Sequence, residues 1–212
     1  ELGGQRLMAL DGGPDFKFNP SESLFYNASS VEEVERVWNA LLPGGQVFMP
    51  LGEYPFSPRF GWLSDKFGLS WQIHMGERPQ KINPFLMFVK DQCGKAEEAI
   101  RLYMSLIDNS QLTHIEYYTE ADAANGEKVG TVKHVDFTLN GHPFMALDSG
   151  LAHEFNFNEA FSLVVECETQ EEIDRLWNAL SVVPESEQCG WLKDKYGLSW
   201  QIVPTVLGEL MS

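Results

Sequence analysis

His134 and Asp136 are the simplest pair in this sequence that could move a proton. They lie in TVKHVDFTL (131–139). If this is a strand, a spacing of two puts both side chains on one face, where the carboxylate can orient or charge the imidazole for general acid–base work. The plainer reading is two solvated polar residues on an open sheet face. His114 lies on the polar face of another predicted strand, QLTHIEYY, and His142 and His153 sit near turns. In GLSWQIH (68–74), Leu69, Trp71 and Ile73 alternate with Ser70, Gln72 and His74, so this strand has one apolar and one polar face. Cys93, Cys167 and Cys189 show no CxxC spacing. They imply neither a disulfide framework nor a zinc knuckle, and fit isolated thiols in a reducing cytoplasm.

Charge narrows the partners. Against 31 acidic residues stand 15 basic ones, a net charge of −16. Such a surface repels a phosphate backbone or an anionic membrane, so neither nucleic acid nor membrane is an expected partner. The 212 residues, 43% hydrophobic, suffice for one large or two small domains.

The elements that must position these side chains are written twice. GGQRLMALDGG (3–13) matches NGHPFMALDSG (140–150), VEEVERVWNALL (31–42) matches QEEIDRLWNALS (170–181), and GWLSDKFGLSWQI (61–73) matches GWLKDKYGLSWQI (190–202). The middle block predicts helices with apolar stripes, Val34, Val37, Trp38 and Leu41 in one copy and Ile173, Leu176, Trp177 and Leu180 in the other. Both tryptophans are expected in the core. Ser30 with Glu33, and Thr169 with Glu172, have capping-box spacing. The last block predicts a turn closed by Asp and Gly, followed by a strand. Residues 81–139 spell a related unit of strand (INPFLMFVK), helix (95–107) and further strands, with a loop at TEADAANGEKVG.

A strand–helix–three-strand unit used in pairs resembles the vicinal-oxygen-chelate superfamily of glyoxalases, dioxygenases and bleomycin-resistance proteins. The wording of NPFLMFV, AEEAIRLYMSL, FTLNGHPFMALDSG, FNEAFSLVVECETQEEIDRLWNAL and CGWLKDKYGLSWQIVP is similar to its PhnB-like branch. That branch is also labelled 3-demethylubiquinone-9 3-methyltransferase. The resemblance covers 82–204 as a whole domain and 1–77 as the latter part of another. It implies an α+β fold in which tandem βαβββ modules form cup-shaped mixed sheets with helices outside. It also implies a cavity lined by Gln72 and His74 in the first domain, and by Asn83, Phe85, Met87, Met145, Ser199 and Gln201 in the second. His134 and Asp136 join these as ligand-binding candidates.

Metal-dependent relatives place a His, Gln or Glu on each of four strands. Carried over, the four places fall near Asn83, Met145, Phe161 and Gln201 in the second domain, and at Met8, Gln72 and near Leu24 in the first. Met and Phe cannot ligate a hard divalent ion, so no metal and no other cofactor is expected. Methyl transfer from S-adenosylmethionine usually needs a glycine-rich turn between a buried strand and a helix. Gly3-Gly4, Gly12-Gly13 and Gly44-Gly45 do not supply one. The expected function is therefore a small organic molecule held in the cavity, by a binder or a catalyst. A metal-dependent lyase, isomerase or dioxygenase, and the methyltransferase of the family label, are the alternatives.

The repeat predicts a first domain at 1–80, with its first module largely absent, and a complete domain at 81–212. Aligning MALD (8–11) with MALD (145–148) sets Glu1 against Thr138, leaving 81–137 without a counterpart. A half-cup leaves a sheet edge unpaired. The first domain is thus expected to rely on a preceding segment, or on an equivalent module of another chain in a homodimer.

Overall fold

The computed structural model describes residues 2–206. It divides into two compact units, Glu1–Asn156 and Phe157–Ser212. In the first unit, β1 (Glu22–Ala28), α1 (Val31–Leu41), β2 (Gln46–Tyr54), β3 (Ser57–Ser64) and β4 (Ser70–Met75) make one βαβββ module. A second module follows: β5 (Ile82–Phe88), α2 (Ala96–Leu106), β6 (Gln111–Tyr117), β7 (Val132–Leu139) and β8 (His142–Asp148). A short helix, α3 (Glu120–Ala123), interrupts the expected loop between β6 and β7.

The two modules share one eight-stranded sheet, ordered β2-β3-β4-β1-β5-β8-β7-β6. In each, the first strand runs parallel to the last, β1 to β4 and β5 to β8. The modules meet where β1 and β5 pair antiparallel, from Glu22↔Leu86 to Tyr26↔Ile82. The boundary expected near residue 80 thus falls between β4 and β5, inside this sheet. Through that seam the first module's β1 edge is paired with the next module of the same chain.

The two long helices of this unit, α1 and α2, cover one face of the sheet. On α1, Val34 and Trp38 are buried, and Ser30 Oγ accepts from the Glu33 N–H at 3.2 Å, the expected cap. Trp38 lies flat on β3 at Gly61, where a Cβ would come within 2.4 Å of the indole, so only glycine lets helix and strand approach this closely. On α2, Ala96, Ala99, Ile100 and Tyr103 are buried. The buried Asp148 carboxylate accepts from the Gly94 and Ala96 N–H groups at the start of α2 and from the Val132 N–H of β7. One side chain thereby ties helix to sheet.

The twice-written turn has one mechanism. Asp65 Oδ1 accepts from the Phe67 and Leu69 N–H groups (2.9 and 3.2 Å), and its Oδ2 from the Trp71 indole N–H (3.0 Å). Gly68 supplies the φ of +88° that the turn needs. Asp194 repeats all three bonds, to Tyr196 and Leu198 (2.8 and 3.1 Å) and to the Trp200 indole (2.9 Å). The motif is a structural clip.

In the second unit, β9 (Ser162–Cys167), α4 (Gln170–Leu180), β10 (Trp191–Lys193) and β11 (Ser199–Pro204) form a three-stranded sheet ordered β10-β11-β9. Strand β9 runs parallel to β11, as β1 does to β4. Leu176 and Leu180 are buried on α4, whereas Trp177 is only partly buried, contrary to expectation. Strand β10 has three residues where β3 has eight, so less sheet lies under that indole.

Residues 6–13, in the block that matches the hairpin at 140–150, have no regular structure, and Met8 and Leu10 are exposed. In the matching hairpin, β8 is held by β7. Among the described residues no helix is long and apolar enough to cross a membrane.

Candidate functional site

The face opposite the helices is concave and is lined by every second residue of its strands. Phe25, Gln72, Asn83, Phe85 and Met145 are buried on it, with Phe60 from β3. Register explains the gathering: Phe25 sits beside Gln72 on β4 and Asn83 on β5, and Phe85 sits beside Met145 on β8. Met49, Tyr54, Trp62 and Leu147 pack against the Phe25–Phe60–Phe85–Met145 cluster.

A strip of rings crosses this face. His74 and Phe25 have centroids 5.5 Å apart, Phe25 and Phe85 stack at 5.9 Å, Phe85 and His134 lie at 6.3 Å, and His134 and His114 at 6.5 Å. An imidazole therefore flanks the phenylalanine pair on each side. Seven of the expected residues, Gln72, His74, Asn83, Phe85, Met145, His134 and Asp136, share this face, and Met87, also buried, alternates onto it from β5. The structure unites on one sheet what the repeat assigned to two domains.

Ser199 and Gln201 belong to the second unit. They lie on β11, where Gln201 Nε2 donates to Ser162 Oγ at 2.7 Å. Asn83 and Met145 belong to the sheet that β1 joins, and β11 pairs with β9.

Arg78 was not foreseen. It stands on the loop between β4 and β5, and its guanidinium donates to Asp136 Oδ1 at 2.6 Å, joining the end of the first module to the far side of the second. A lone arginine in ERPQ carries no local signal of that reach. The other Asp136 oxygen lies 3.2 Å from His134 Nε2. Burial pushes the Asp136 carboxyl up, but His134 and Arg78 outweigh it and hold the carboxyl below the usual range. Burial pulls the His74 imidazole down to about 4, with help from the positive charge of Arg78 and from His134, so His74 is neutral at pH 7.

Beside this group a cleft of about 360 Å³ is bordered by Asn27, Ser29, Arg78 and Lys81 among others. Lys81 is held there by Glu33 at 2.6 Å. Glu33 is kept down near 2, first by Lys81 and then by the Ser29 N–H.

The donor chemistry does not suit a divalent ion. Of the positions that the resemblance assigned to metal ligands, Gln72, Asn83 and Met145 lie on this face and Leu24 faces the helix layer, while Phe161 and Gln201 belong to the second unit. Phenyl and thioether groups are no ligands for such an ion. Among the described residues no three His, Cys, Asp or Glu side chains converge where they could hold a metal. Asp136, the carboxylate on the face, is already engaged by Arg78 and His134.

The architecture is that of the glyoxalase fold. Glyoxalase I from Zea mays superposes with a TM-score of 0.54 over 89% of this chain and 69% of its own, at 11% identity, which speaks for the fold alone. The 3-demethylubiquinone-9 3-methyltransferase family model matches residues 1–74 and 80–203, and the chain belongs to that family, in its PhnB-like branch. A PhnB protein of Bacillus cereus bearing the same label is 45% identical over 57% of this chain and 95% of its own, with a TM-score of 0.48. A search of curated proteins finds no match.

Proposed function

We propose that the concave face of the eight-stranded sheet holds a small, partly apolar organic molecule, and that it does so without a resident metal. One observation carries the reading: buried polar atoms without partners among the described residues, Asn83 Oδ1 and His74 Nδ1, stand beside the Phe25–Phe85 floor. A buried polar group left unpaired is destabilising, and a ligand that supplies the missing bonds relieves it. Apolar walls with a few polar groups are the usual make-up of a small-molecule site. If the site is catalytic, the His134–Asp136 pair is its natural acid–base element, because Asp136 lies 3.2 Å from Nε2 and can orient the imidazole. The glycine pairs weigh against methyl transfer: Gly3-Gly4 and Gly12-Gly13 precede β1, and Gly44-Gly45 lies between α1 and β2, so none opens a helix after a strand.

The test is a metabolite screen by thermal shift, followed by histidine-resolved NMR on the hits. A hit that perturbs the His74 and His134 imidazoles supports the reading. Hits that leave both unmoved contradict it. Stabilisation only after zinc, nickel or manganese is added would establish the metal-dependent alternative, and stabilisation by S-adenosylmethionine the methyltransferase.

A further inference from the structure

The unpartnered atoms also describe the ligand. Asn83 is 2% exposed and Asn27 4% exposed, and the Oδ1 of each lacks a partner among the described residues. The orientation of Asn27 is fixed, because its Nδ2 donates to the Gln80 carbonyl at 3.1 Å, which leaves Oδ1 as a pure acceptor. Asn27 is the register neighbour of His74, and Asn83 that of Phe25, so these acceptors border the ring strip. The nearby cations are already neutralised, Arg78 by Asp136 and Lys81 by Glu33. An anionic ligand would have to displace a carboxylate from one of them. A ligand bearing only acceptors would leave both Oδ1 atoms unpaired.

We infer that the ligand of this face is a neutral, planar ring compound carrying at least one hydroxyl or N–H donor, its ring against Phe25 and Phe85 and its donor on Asn83 Oδ1. This rests on the reading of the concave face as a binding site. Aromatic stacking supplies attraction without regard to ring identity, and the buried acceptor supplies selection.

Three matched probes test it on the wild-type chain: 2-naphthol, 2-methoxynaphthalene and 2-naphthoate, each titrated while the His74 and His134 imidazole signals are followed by NMR. The naphthol is expected to shift both imidazoles saturably. The ether and the carboxylate are expected to bind at least about tenfold more weakly, since each leaves the buried acceptor unpaired. Asn83→Leu should bring the naphthol to the level of the ether, with a melting curve confirming the fold. The wild-type series stands even if that variant fails to fold. Ether or naphthoate binding within about twofold of the naphthol overturns the donor requirement and leaves the binding face standing. If metabolites of another class move the imidazoles and naphthol does not, the ligand class again falls alone. If neither naphthol nor any metabolite moves them, both readings fall together.

Discussion

Lowering the pH from 7 to 4 interrogates the concave face through His74. Its imidazole is held neutral in the fold, with a pKa of about 4 against 6.5 for an unhindered histidine, first by burial and then by Arg78 and His134. As pH falls, the unfolded chain takes up the proton before the folded one can. Stability linked to His74 is therefore complete above pH 6.5 and drains away between 6.5 and 4. At about 1.4 kcal/mol per pH unit, the full displacement would be worth roughly 3 kcal/mol. The ring is only partly buried, so solvent screening reduces the expected loss to about 1–2 kcal/mol. Urea unfolding of wild type and His74→Phe, followed by tryptophan fluorescence at pH values from 7.5 to 4, reads the difference directly. The variant should lose less stability across that window, and NMR should place the wild-type His74 titration well below 6. An imidazole titrating at 6.5 or above, or parallel stability curves, would refute the reasoning.

Asp194→Ala removes the three clip hydrogen bonds, one of them from the buried Trp200 indole, so it should cost about 3 kcal/mol in chemical unfolding. Asp65→Ala should cost less, because Asp65 is partly exposed, and losses below about 1 kcal/mol at both sites would mean the repeated clip is not structural. Gly61→Ala drives a Cβ into the Trp38 ring and should destabilise by about 1–3 kcal/mol. Trp38→Ala alone should cost about 3–5 kcal/mol, and combining the two should be less than additive, since each relieves the clash or the cavity left by the other. Arg78→Met should raise the titration points of both His74 and Asp136, which it now lowers, and NMR titration showing neither moved would remove Arg78 from the site.

What the sequence by itself determined is local. The helix stripes, their Ser30 and Thr169 caps and the Asp65 and Asp194 clips all act within a few residues, so residue type and spacing suffice to read them. The shared face of His134 and Asp136 follows likewise from a strand's period of two. Only the tertiary structure decided which module pairs with which. Repeated modules present chemically similar first strands, so no local pattern tells whether the module at 82–148 closes against the one before it or the one after. The β1–β5 seam answers that, and with it which candidates meet. It puts Gln72 and His74 beside Asn83 and Phe85 and leaves Ser199 and Gln201 on another sheet. The Arg78–Asp136 bond spans 58 residues of chain and exists because the seam folds the β4–β5 loop towards β7. Contacts of that kind depend on how strands close in space, which periodicity along the chain does not record.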